Sequence, residues 1–261
     1  MFDVQIVLDS VYHTRITTMV CTYPRFIHAE VMTHRMFSRN ASSSRAIPVA
    51  KLLEAARLRP VVPIHWGKNQ KGMRADEEVS EEQKERAESA WHAARLSAIH
   101  CAEHLSDIGI HKQIVNRLLE PFTTITVIIT ATEWNNFFKL RCHKDAEPHM
   151  QKLACMMRDA YVASDPKSTD AHFPYAMSSS GDRAMISAAR CARVSYLNHD
   201  GTKPDEAKDI ILANKLMESK HLSPFEHQAF GIAANQRSGN FVGWSQYRKV
   251  IIGETGETGE K

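Results

Sequence analysis

Short β-branched runs flank a long central region of helical periodicity. Residues 3–9 and 15–22 predict two strands, joined as a hairpin through residues 10–14. Residues 122–131 are the most strand-like run by composition, although an apolar run of this length fits a buried helix as well. Residues 225–234 predict a further strand, and residues 240–250 predict another amphipathic segment.

Helical spacing and its start signals predict most of the remaining elements. Ser80 and Gln83 form a capping-box pattern, which predicts a long helix to about Leu105. Pro24 and Pro148 each lie in the first turn of a predicted helix, where proline is tolerated. Further helices are predicted at about 112–119, 135–140, 183–192 and 204–219. The chain therefore combines helices with a smaller number of strands.

Composition limits the classes of protein that remain. The 261 residues are 43% hydrophobic and 24% charged, with a net charge of +3, so no global polyanion-binding signature is present. No run of 18 apolar residues predicts a membrane span, and the N-terminal residues lack the shape of a signal peptide. Five scattered cysteines without a CxxC pair predict a reduced, cytoplasmic protein without a zinc ribbon.

The Ser/Asp/Pro-rich residues 164–182 are the best linker candidate in the chain. The C-terminal residues repeat a Gly-Glu-Thr triplet, which predicts disorder over 253–261. We therefore expect a single domain over residues 1–252, with a linker near 164–182.

One polar stretch, residues 34–45, concentrates hydrogen-bond donors. It contains three arginines, four serines, one histidine and one asparagine, and it has no Asp or Glu. Arginine gives bidentate contacts to phosphate, and serine and backbone N–H groups complete such a site. The stretch therefore fits an anion site, and the alternative is a solvated polar loop.

Other candidate motifs are weaker. The loop at 66–73 places Lys68 beside a tryptophan and glycines, which fits a ligand-facing loop or an exposed basic loop. His100 to His104 match the HxxEH metalloprotease pattern, but no third ligand is evident and no metal site is predicted. Cys142 follows Arg141, which would lower the pKa of a reactive thiol, although a structural thiol is favoured.

Four segments together resemble one family. His34-Arg35-x-x-Ser38-x-Asn40-x-x-Ser43-x-Arg45 resembles the RHRxxSxNExSxR signature of the flavin-dependent thymidylate synthases. Residues 192–196 and 221–227 resemble that family's ARVSF and HxTPFEH elements, and residues 136–146 resemble its NFxxLRxxxxAQxE segment. The resemblance implies an α+β fold with an antiparallel sheet and long helices.

The order of these segments differs from the family's order. ARVSF and HxTPFEH normally precede the RHR signature, whereas here they come last, which resembles a circular permutation. The chain also departs from the pattern at Thr33, at Ala41 and near Thr124, where the family has Arg, Glu and a phosphate-binding Arg. Arg248 and Lys68 are hypothetical replacements for the lost cationic contacts.

The resemblance also implies an activity. Members are homotetramers that bind FAD between subunits and methylate dUMP at C5, with methylenetetrahydrofolate as one-carbon donor and NADPH as reductant of the flavin. Arg141 matches the arginine credited with polarising the pyrimidine, so it is the predicted catalytic residue. The predicted FAD-binding residues are His34, Arg35, Ser38, Asn40, Asn136, Ser195, His221, Ser223 and Glu226. The predicted substrate-binding residues are Glu30, Ser42, Ser43, Ser44, Arg45, Arg141, Arg248 and Lys68.

Two alternatives stay open at this point. Because the departures lie near the pyrimidine and the phosphate, the substrate can be dCMP, or the product a hydroxymethylpyrimidine. A non-catalytic module is the other possibility, in which Arg35, Arg39, Arg45 and the Trp66 loop hold single-stranded nucleic acid.

Overall fold

A five-stranded sheet organises the computed structural model, which describes residues 1–72, 75–176, 181–198 and 201–251. The predicted tail at 253–261 and Met73 of the Trp66 loop lie outside the described residues. The strands are β1 (Asp3–Val11), β2 (Arg15–Pro24), β3 (Ser38–Ala41), β4 (Thr124–Ala131), β5 (Lys167–Ser168), β6 (Ala171–His172), β7 (Ala229–Gly231), β8 (Arg237–Ser238), β9 (Phe241–Val242) and β10 (Trp244–Gln246). The helices are α1 (His28–Val31), α2 (Val49–Leu58), α3 (Glu81–Asp107), α4 (Lys112–Val115), α5 (Asn135–Arg141), α6 (Pro148–Ala163), α7 (Arg183–Arg193), α8 (Glu206–Glu218) and α9 (Tyr247–Val250).

The main sheet has the strand order β3-β4-β2-β1-β5. Strands β1 to β4 pair antiparallel, and the short β5 runs parallel to β1. This confirms the predicted hairpin, and the run predicted at 122–131 is a strand, β4, over Thr124–Ala131. Because β3 pairs only with β4, it forms one edge of the sheet. A smaller sheet, β10-β7-β6, is built mainly from the C-terminal part of the chain.

The two faces of the main sheet have different character. One face carries Met19, Cys21 and Tyr23 from β2 and packs against aromatic and aliphatic residues of α5 and α6, including Phe137, and against Trp134 just before α5. This apolar layer is the largest core. The other face carries Ile128, which packs against Cys191 of α7, and it also carries buried hydroxyls. The C-terminal helices therefore cover the more polar face.

A second apolar cluster joins α2 to α3. Leu52, Leu53 and Ala56 pack against Ile99 and Ala102, since apolar residues at helical spacing give each helix one buried side. The capping box at Ser80 and Gln83 is formed, as predicted, with hydrogen bonds in both directions. Helix α3 also exposes His100 and His104, and no group of three metal-ligating side chains occurs among the described residues.

Several predicted elements differ in extent. Pro24 ends β2 instead of lying in the first turn of a helix, and the helix that follows, α1, covers only four residues. The helix predicted at 112–119 is α4 followed by a 3-10 helix, Asn116–Phe122. The strand predicted at 225–234 shortens to β7, after the 3-10 helix Ser223–Glu226. Residues 164–182 contribute β5 and β6, although 177–180 lie outside the described residues.

No helix within the described ranges combines the length and apolarity needed to span a bilayer.

The helices at 183–192 and 204–219 are confirmed as α7 and α8, which are joined by a buried group of ion pairs. Asp209 of α8 accepts hydrogen bonds from Arg190 and Arg193 of α7, at 2.8 and 2.7 Å. Helix α7 ends at Arg193 and is capped by Val194, whose φ of 57° lies in the left-handed region. Ser195 follows directly.

Candidate functional site

The edge strand β3 presents side chains to both faces of the sheet. Arg39 pairs with Ile129 and therefore lies on the large apolar face, whereas Asn40 pairs with Ile128 and lies on the polar face. Ser38 shares the face of Asn40, because it lies two residues away. The predicted anion stretch is thus split across one sheet edge instead of forming a single loop.

On the apolar face, Arg141 meets His34. Arg141 Nε at the end of α5 donates to His34 Nε2 across 3.0 Å, and Arg141 Nη1 lies 3.9 Å from a carboxylate oxygen of Glu30. Burial, together with Arg141 and Arg39, lowers the pKa of His34 to about 4. His34 is therefore neutral near pH 7, which leaves its Nε2 free to accept from the guanidinium. Three predicted site residues are brought together here.

Arg39 anchors this cluster from β3. Its Nη1 donates to the backbone oxygens of Val31 and Met32, at 3.2 and 2.8 Å, which closes the end of α1. Glu30 lies on the same short helix. Burial, then the nearby Glu147, raises the pKa of Glu30, whereas Arg141 acts in the opposite direction. Arg39 thus holds the helix that carries Glu30 against the edge strand.

A cavity of about 360 Å³ opens beside His34. Arg35 and Asn136, both exposed predicted FAD ligands, line it together with Phe137. The carboxylate of Glu133 is also present, but it pairs with Arg237 at 2.9 Å. The cavity therefore combines an aromatic ring with two exposed polar side chains.

On the polar face, the Ser223–Glu226 turn packs against β3. One end of the Asn40 side-chain amide lies 3.0 Å from His227 Nε2 and 3.0 Å from the backbone oxygen of Ser223, and its other end lies 3.4 Å from Ser223 Oγ. Gln246 Nε2 donates to Ser38 Oγ at 3.0 Å, so the Ser38 hydroxyl is buried in a contact within the protein. Residues from distant parts of the sequence therefore form one edge.

Glu226 and Arg248 form an ion pair at the end of this turn. Both side chains are partly buried, with 21% and 28% of their surface exposed. The Glu226 carboxylate also acts on Arg39. It raises the pKa of Arg39, although burial has the larger effect and lowers it. The charged groups on the two faces of β3 are therefore electrostatically connected.

The serines of the stretch have different environments. Ser42 Oγ accepts from the backbone N–H of Thr126 at 3.1 Å, and the buried Ser44 Oγ donates to Glu120 at 2.6 Å. Ser43 and Arg45 are exposed. Of the four residues predicted to bind phosphate, Ser43 and Arg45 are the ones whose side chains face outward.

Three predicted site residues lie apart from the Arg141 cluster. Ser195 accepts from the backbone N–H of Leu197 at 3.1 Å and lines a groove of about 940 Å³ on the polar face. His221 is exposed and lies 3.0 Å from Ser219 Oγ. Lys68 donates to Glu77 at 2.7 Å in the exposed Trp66 loop. Of the three, Ser195 faces the groove and Lys68 is engaged by a carboxylate.

Cys142 fits the structural thiol that the sequence favours over a reactive one. Burial raises the pKa of the Cys142 thiol to about 11, and its hydrogen bond with Cys155 adds to this rise. The structure therefore supports a structural thiol at this position. All five cysteines are unpaired, as the sequence predicts.

Sequence reasoning missed several buried or half-buried partners. Gln246, Glu120 and His172 each contact a residue of the site or a neighbour of one, yet none belongs to a motif. His172 lies in the segment predicted as a linker, where nothing in the local pattern marks it. Their roles arise from tertiary contacts over 76 to 208 residues of sequence, which periodicity does not encode.

Comparisons with known proteins agree with this architecture. The model of a family described as thymidylate synthase complementing protein matches residues 9–167. Two crystal structures of a UMP/dUMP methylase PolB from Streptomyces cacaoi, bound with 5-Br UMP and 5-Br dUMP, are similar, both with a TM-score of 0.53. They are 18% and 17% identical, and the alignments cover 62% of this chain and 89% and 90% of theirs. At this identity the likeness shows the fold alone, and it confirms the predicted fold class. Among curated proteins, no sequence matches the chain.

Proposed function

We propose that this chain, which belongs to the thymidylate synthase complementing protein family, transfers a one-carbon unit from methylenetetrahydrofolate to C5 of dUMP, with reduced FAD as hydride source. The observation that carries the proposal is the Arg141–His34–Glu30 cluster beside an open cavity at the sheet edge. The similarity to a methylase of UMP and dUMP supports a pyrimidine nucleotide as substrate.

Arg141 supplies the electrostatic part of this chemistry. C5 of uracil is a weak nucleophile, and it becomes a stronger one when the ring takes on enolate character, with negative charge on O4. A fixed cation beside O4 stabilises that charge, because a preorganised donor costs no reorganisation during the reaction. The hydrogen bond from Nε to His34 orients the guanidinium, while Nη1 lies beyond hydrogen-bonding distance of Glu30. The terminal N–H groups are therefore the donors that a pyrimidine would meet.

The cavity beside His34 suits part of a flavin dinucleotide. Arg35 offers a guanidinium to a phosphate, Asn136 offers an amide, and Phe137 offers an aromatic surface. At about 360 Å³ the cavity is at the small end of ligand sites, so it would hold only part of FAD. The remainder would contact a second subunit, in line with a homotetramer that binds FAD between subunits. Bound FAD supplies the hydride chemistry, with NADPH as its reductant.

Ser43 and Arg45 are the proposed phosphate ligands of the nucleotide. Both are exposed, and they follow β3 by only a few residues. Arg248 is a further candidate, although it pairs with Glu226, and Lys68 would have to leave Glu77. To bind Arg248 or Lys68, a phosphate would have to replace Glu226 or Glu77 and compensate for the lost ion pair. Arg45 is therefore the first candidate for the phosphate ligand.

We also infer that the family's element order is permuted in this chain. The family match ends at residue 167, yet Ser223 and His227, from a segment resembling HxTPFEH, contact Asn40 of the RHR-like segment. Both motifs therefore share one sheet edge despite their reversed order. We further propose a cytoplasmic location, which suits five unpaired cysteines.

The visible spectrum of the purified protein tests the proposal first. We expect a flavin band as purified or after loading with FAD, and a protein that cannot be loaded contradicts a flavoenzyme. Product analysis by mass spectrometry follows, with dUMP, UMP and dCMP in parallel, each with methylenetetrahydrofolate and NADPH. A methylated dUMP supports the proposal. A hydroxymethylated product or a preference for dCMP contradicts it and supports the corresponding alternative product or substrate. Salt-sensitive binding of single-stranded DNA without any chromophore supports the nucleic-acid module instead.

A further inference from the structure

One hydroxyl and two guanidinium groups converge on a single carboxylate oxygen beside residues 42–45. Ser44 Oγ donates to Glu120 Oε1 at 2.6 Å. Arg117 Nη1 lies 3.3 Å from the same oxygen, and Arg25 Nη1 lies 3.6 Å from it. We call Ser44, Arg25 and Arg117 the Glu120 cradle. The cradle is an anion site in which a carboxylate of the chain itself is the anion.

The cradle adjoins the proposed phosphate ligands of the nucleotide. Ser43 and Arg45 are exposed, and they are the direct neighbours of Ser44 along the chain. Because consecutive Cα atoms are only about 3.8 Å apart, a phosphate bound by Ser43 and Arg45 would lie close to the Glu120 carboxylate. Two anions at short distance repel each other. The carboxylate must therefore weaken phosphate binding or move away when the phosphate arrives.

The backbone around the cradle is held in place without Glu120. Asn116 Nδ2 donates to the backbone oxygen of Ser44 at 2.7 Å. Arg25 Nη2 donates to the backbone oxygen of Ser42 at 3.2 Å. Neither bond involves the carboxylate, so its departure would leave the Ser44 hydroxyl and the Arg25 guanidinium in position for another anion.

Glu120 satisfies the cradle only in part. Its distances to both guanidinium groups exceed the length of a good charge-assisted hydrogen bond, about 2.7–2.9 Å. The buried Nε of Arg25 has no hydrogen-bond partner among the described residues. Burial lowers the pKa of Arg25, and the Glu120 carboxylate offsets this only in part. A phosphate, with three acceptor oxygens and a charge of about −1.5 to −2, matches two guanidinium groups better than one carboxylate does.

We propose that Glu120 is an internal competitor of the nucleotide phosphate. Its carboxylate occupies the cradle in the free protein, and the phosphate replaces it when a nucleotide binds to Ser43 and Arg45. The released carboxylate turns toward solvent, to which 22% of the Glu120 side chain is already exposed. Glu120 therefore keeps the affinity for nucleotides below the value that the cradle alone would give. The identity of the nucleotide rests on the proposed function, whereas the competition between carboxylate and phosphate does not depend on it.

Binding of inorganic phosphate tests the competition without any nucleotide. The protein is titrated with phosphate, and binding is followed by ³¹P NMR. Glu120→Gln removes the charge but keeps an oxygen that can accept from Ser44, so we expect about tenfold tighter phosphate binding. Glu103→Gln is the matched control, because Glu103 of α3 also pairs with an arginine, Arg57 of α2, and loses the same charge. It leaves the phosphate affinity unchanged.

A second substitution tests whether the phosphate enters the cradle. Ser44→Ala, added to Glu120→Gln, removes the hydroxyl that the phosphate would use, so most of the gain in affinity is lost. A gain that survives Ser44→Ala overturns the cradle as the phosphate site.

Glu120→Asp is the second variant, should Glu120→Gln fail to fold. It keeps the charge but withdraws the carboxylate from Ser44 by one methylene, so it binds phosphate more tightly than the parent and less tightly than Glu120→Gln. A phosphate affinity within about twofold of the parent in both variants overturns the proposal. Weaker binding, or no binding by any of these proteins, overturns it as well, because Glu120 would then build the anion site or no such site would exist.

Nucleotide binding connects the competition to the proposed function. In protein loaded with FAD, the dissociation constant of dUMP falls about tenfold in Glu120→Gln. Deoxyuridine, which lacks the phosphate, binds equally to the parent and the variant, and an equal gain for both ligands overturns the proposal. A parent protein that binds phosphate but neither FAD nor dUMP contradicts the proposed function, whereas the phosphate titrations of the Glu120 variants still decide the competition.

Discussion

Arg141 Nε and His34 Nε2 are joined by a hydrogen bond of 3.0 Å between residues that are 107 positions apart in sequence. The imidazole accepts this bond because its pKa is lowered to about 4, first by burial and then by Arg141 and Arg39. A neutral histidine thus orients a cation without neutralising it. The charge of Arg141 is opposed only by the Glu30 carboxylate at 3.9 Å, so it is neutralised less than it would be by a carboxylate at hydrogen-bonding distance.

Replacement of Arg141 by alanine should reduce kcat for dUMP by about 10²–10³-fold, the usual loss when one preorganised donor is removed from an active site. Arg141→Lys should be intermediate, since lysine keeps the charge but not the planar fork. Steady-state kinetics with saturating folate and NADPH measure both.

The matched control for Arg141 is Arg158→Ala. Arg158 is an exposed arginine on the neighbouring helix α6 and bonds to the adjacent Asp159. It should retain the parent kcat. A kcat for Arg141→Ala within threefold of the parent would remove Arg141 from the proposed chemistry.

Stability should fall as the pH drops below about 6.5, because the pKa values of His34, His172 and His227 are lowered in the folded state. Between the folded and unfolded pKa values, the unfolded chain binds more protons, so acid favours unfolding. For the fully buried His172, the contribution between pH 7 and pH 5 is about 2 kcal/mol. Urea unfolding at both pH values should show a difference smaller by that amount in His172→Gln. An identical difference in parent and variant contradicts this assignment.

The Glu226–Arg248 ion pair should couple the C-terminal segment to the site edge. A double-mutant cycle of Glu226→Gln and Arg248→Ala should give a coupling free energy of about 1 kcal/mol in urea unfolding, because both side chains are partly buried. If Arg248 also contacts the nucleotide phosphate, Arg248→Ala raises KM for dUMP whereas Glu226→Gln does not. Additive effects within about 0.3 kcal/mol would show that the pair is not coupled.

Asp209→Ala should be among the most destabilising single substitutions in the chain. Asp209 and Arg190 are almost completely buried, at 1% and 3% exposure, and removal of the carboxylate leaves two guanidinium groups of α7 without their partner. Removing one member of such a buried pair typically costs about 3–5 kcal/mol. Urea unfolding measures the loss, and Asp205→Ala, which removes the cap of the same helix, should cost only about 1 kcal/mol.

Local signals explain why much of the secondary structure was predictable. The capping box at Ser80, the β-branched hairpin and the apolar spacing of α7 and α8 each act within a few residues. Helix α2 was missed, although Pro48 before it and the spacing of Leu52, Leu53 and Ala56 are helical signals. Pro24 misled in the other direction, since a proline also fits the end of a strand, where it pairs with Thr124.

The site was predictable only in part, and for a different reason. The Arg141–His34 and Asn40–Ser223 contacts join segments selected by a family resemblance, which carries tertiary information that periodicity lacks. No motif or periodicity predicts the hydrogen bonds between Ser44 and Glu120 and between Ser38 and Gln246. Which hydroxyls are already satisfied inside the fold is decided by packing between distant elements.

The left-handed conformation of Val194, with φ at 57°, is costly for a β-branched residue, on the order of 1–2 kcal/mol. That energy is held at the peptide directly before Ser195, on the rim of the large groove. The folded chain therefore stores a small amount of conformational strain next to a predicted ligand contact. Any ligand that relaxes this turn would gain that energy in addition to its own contacts, and a glycine at position 194 would release it in advance.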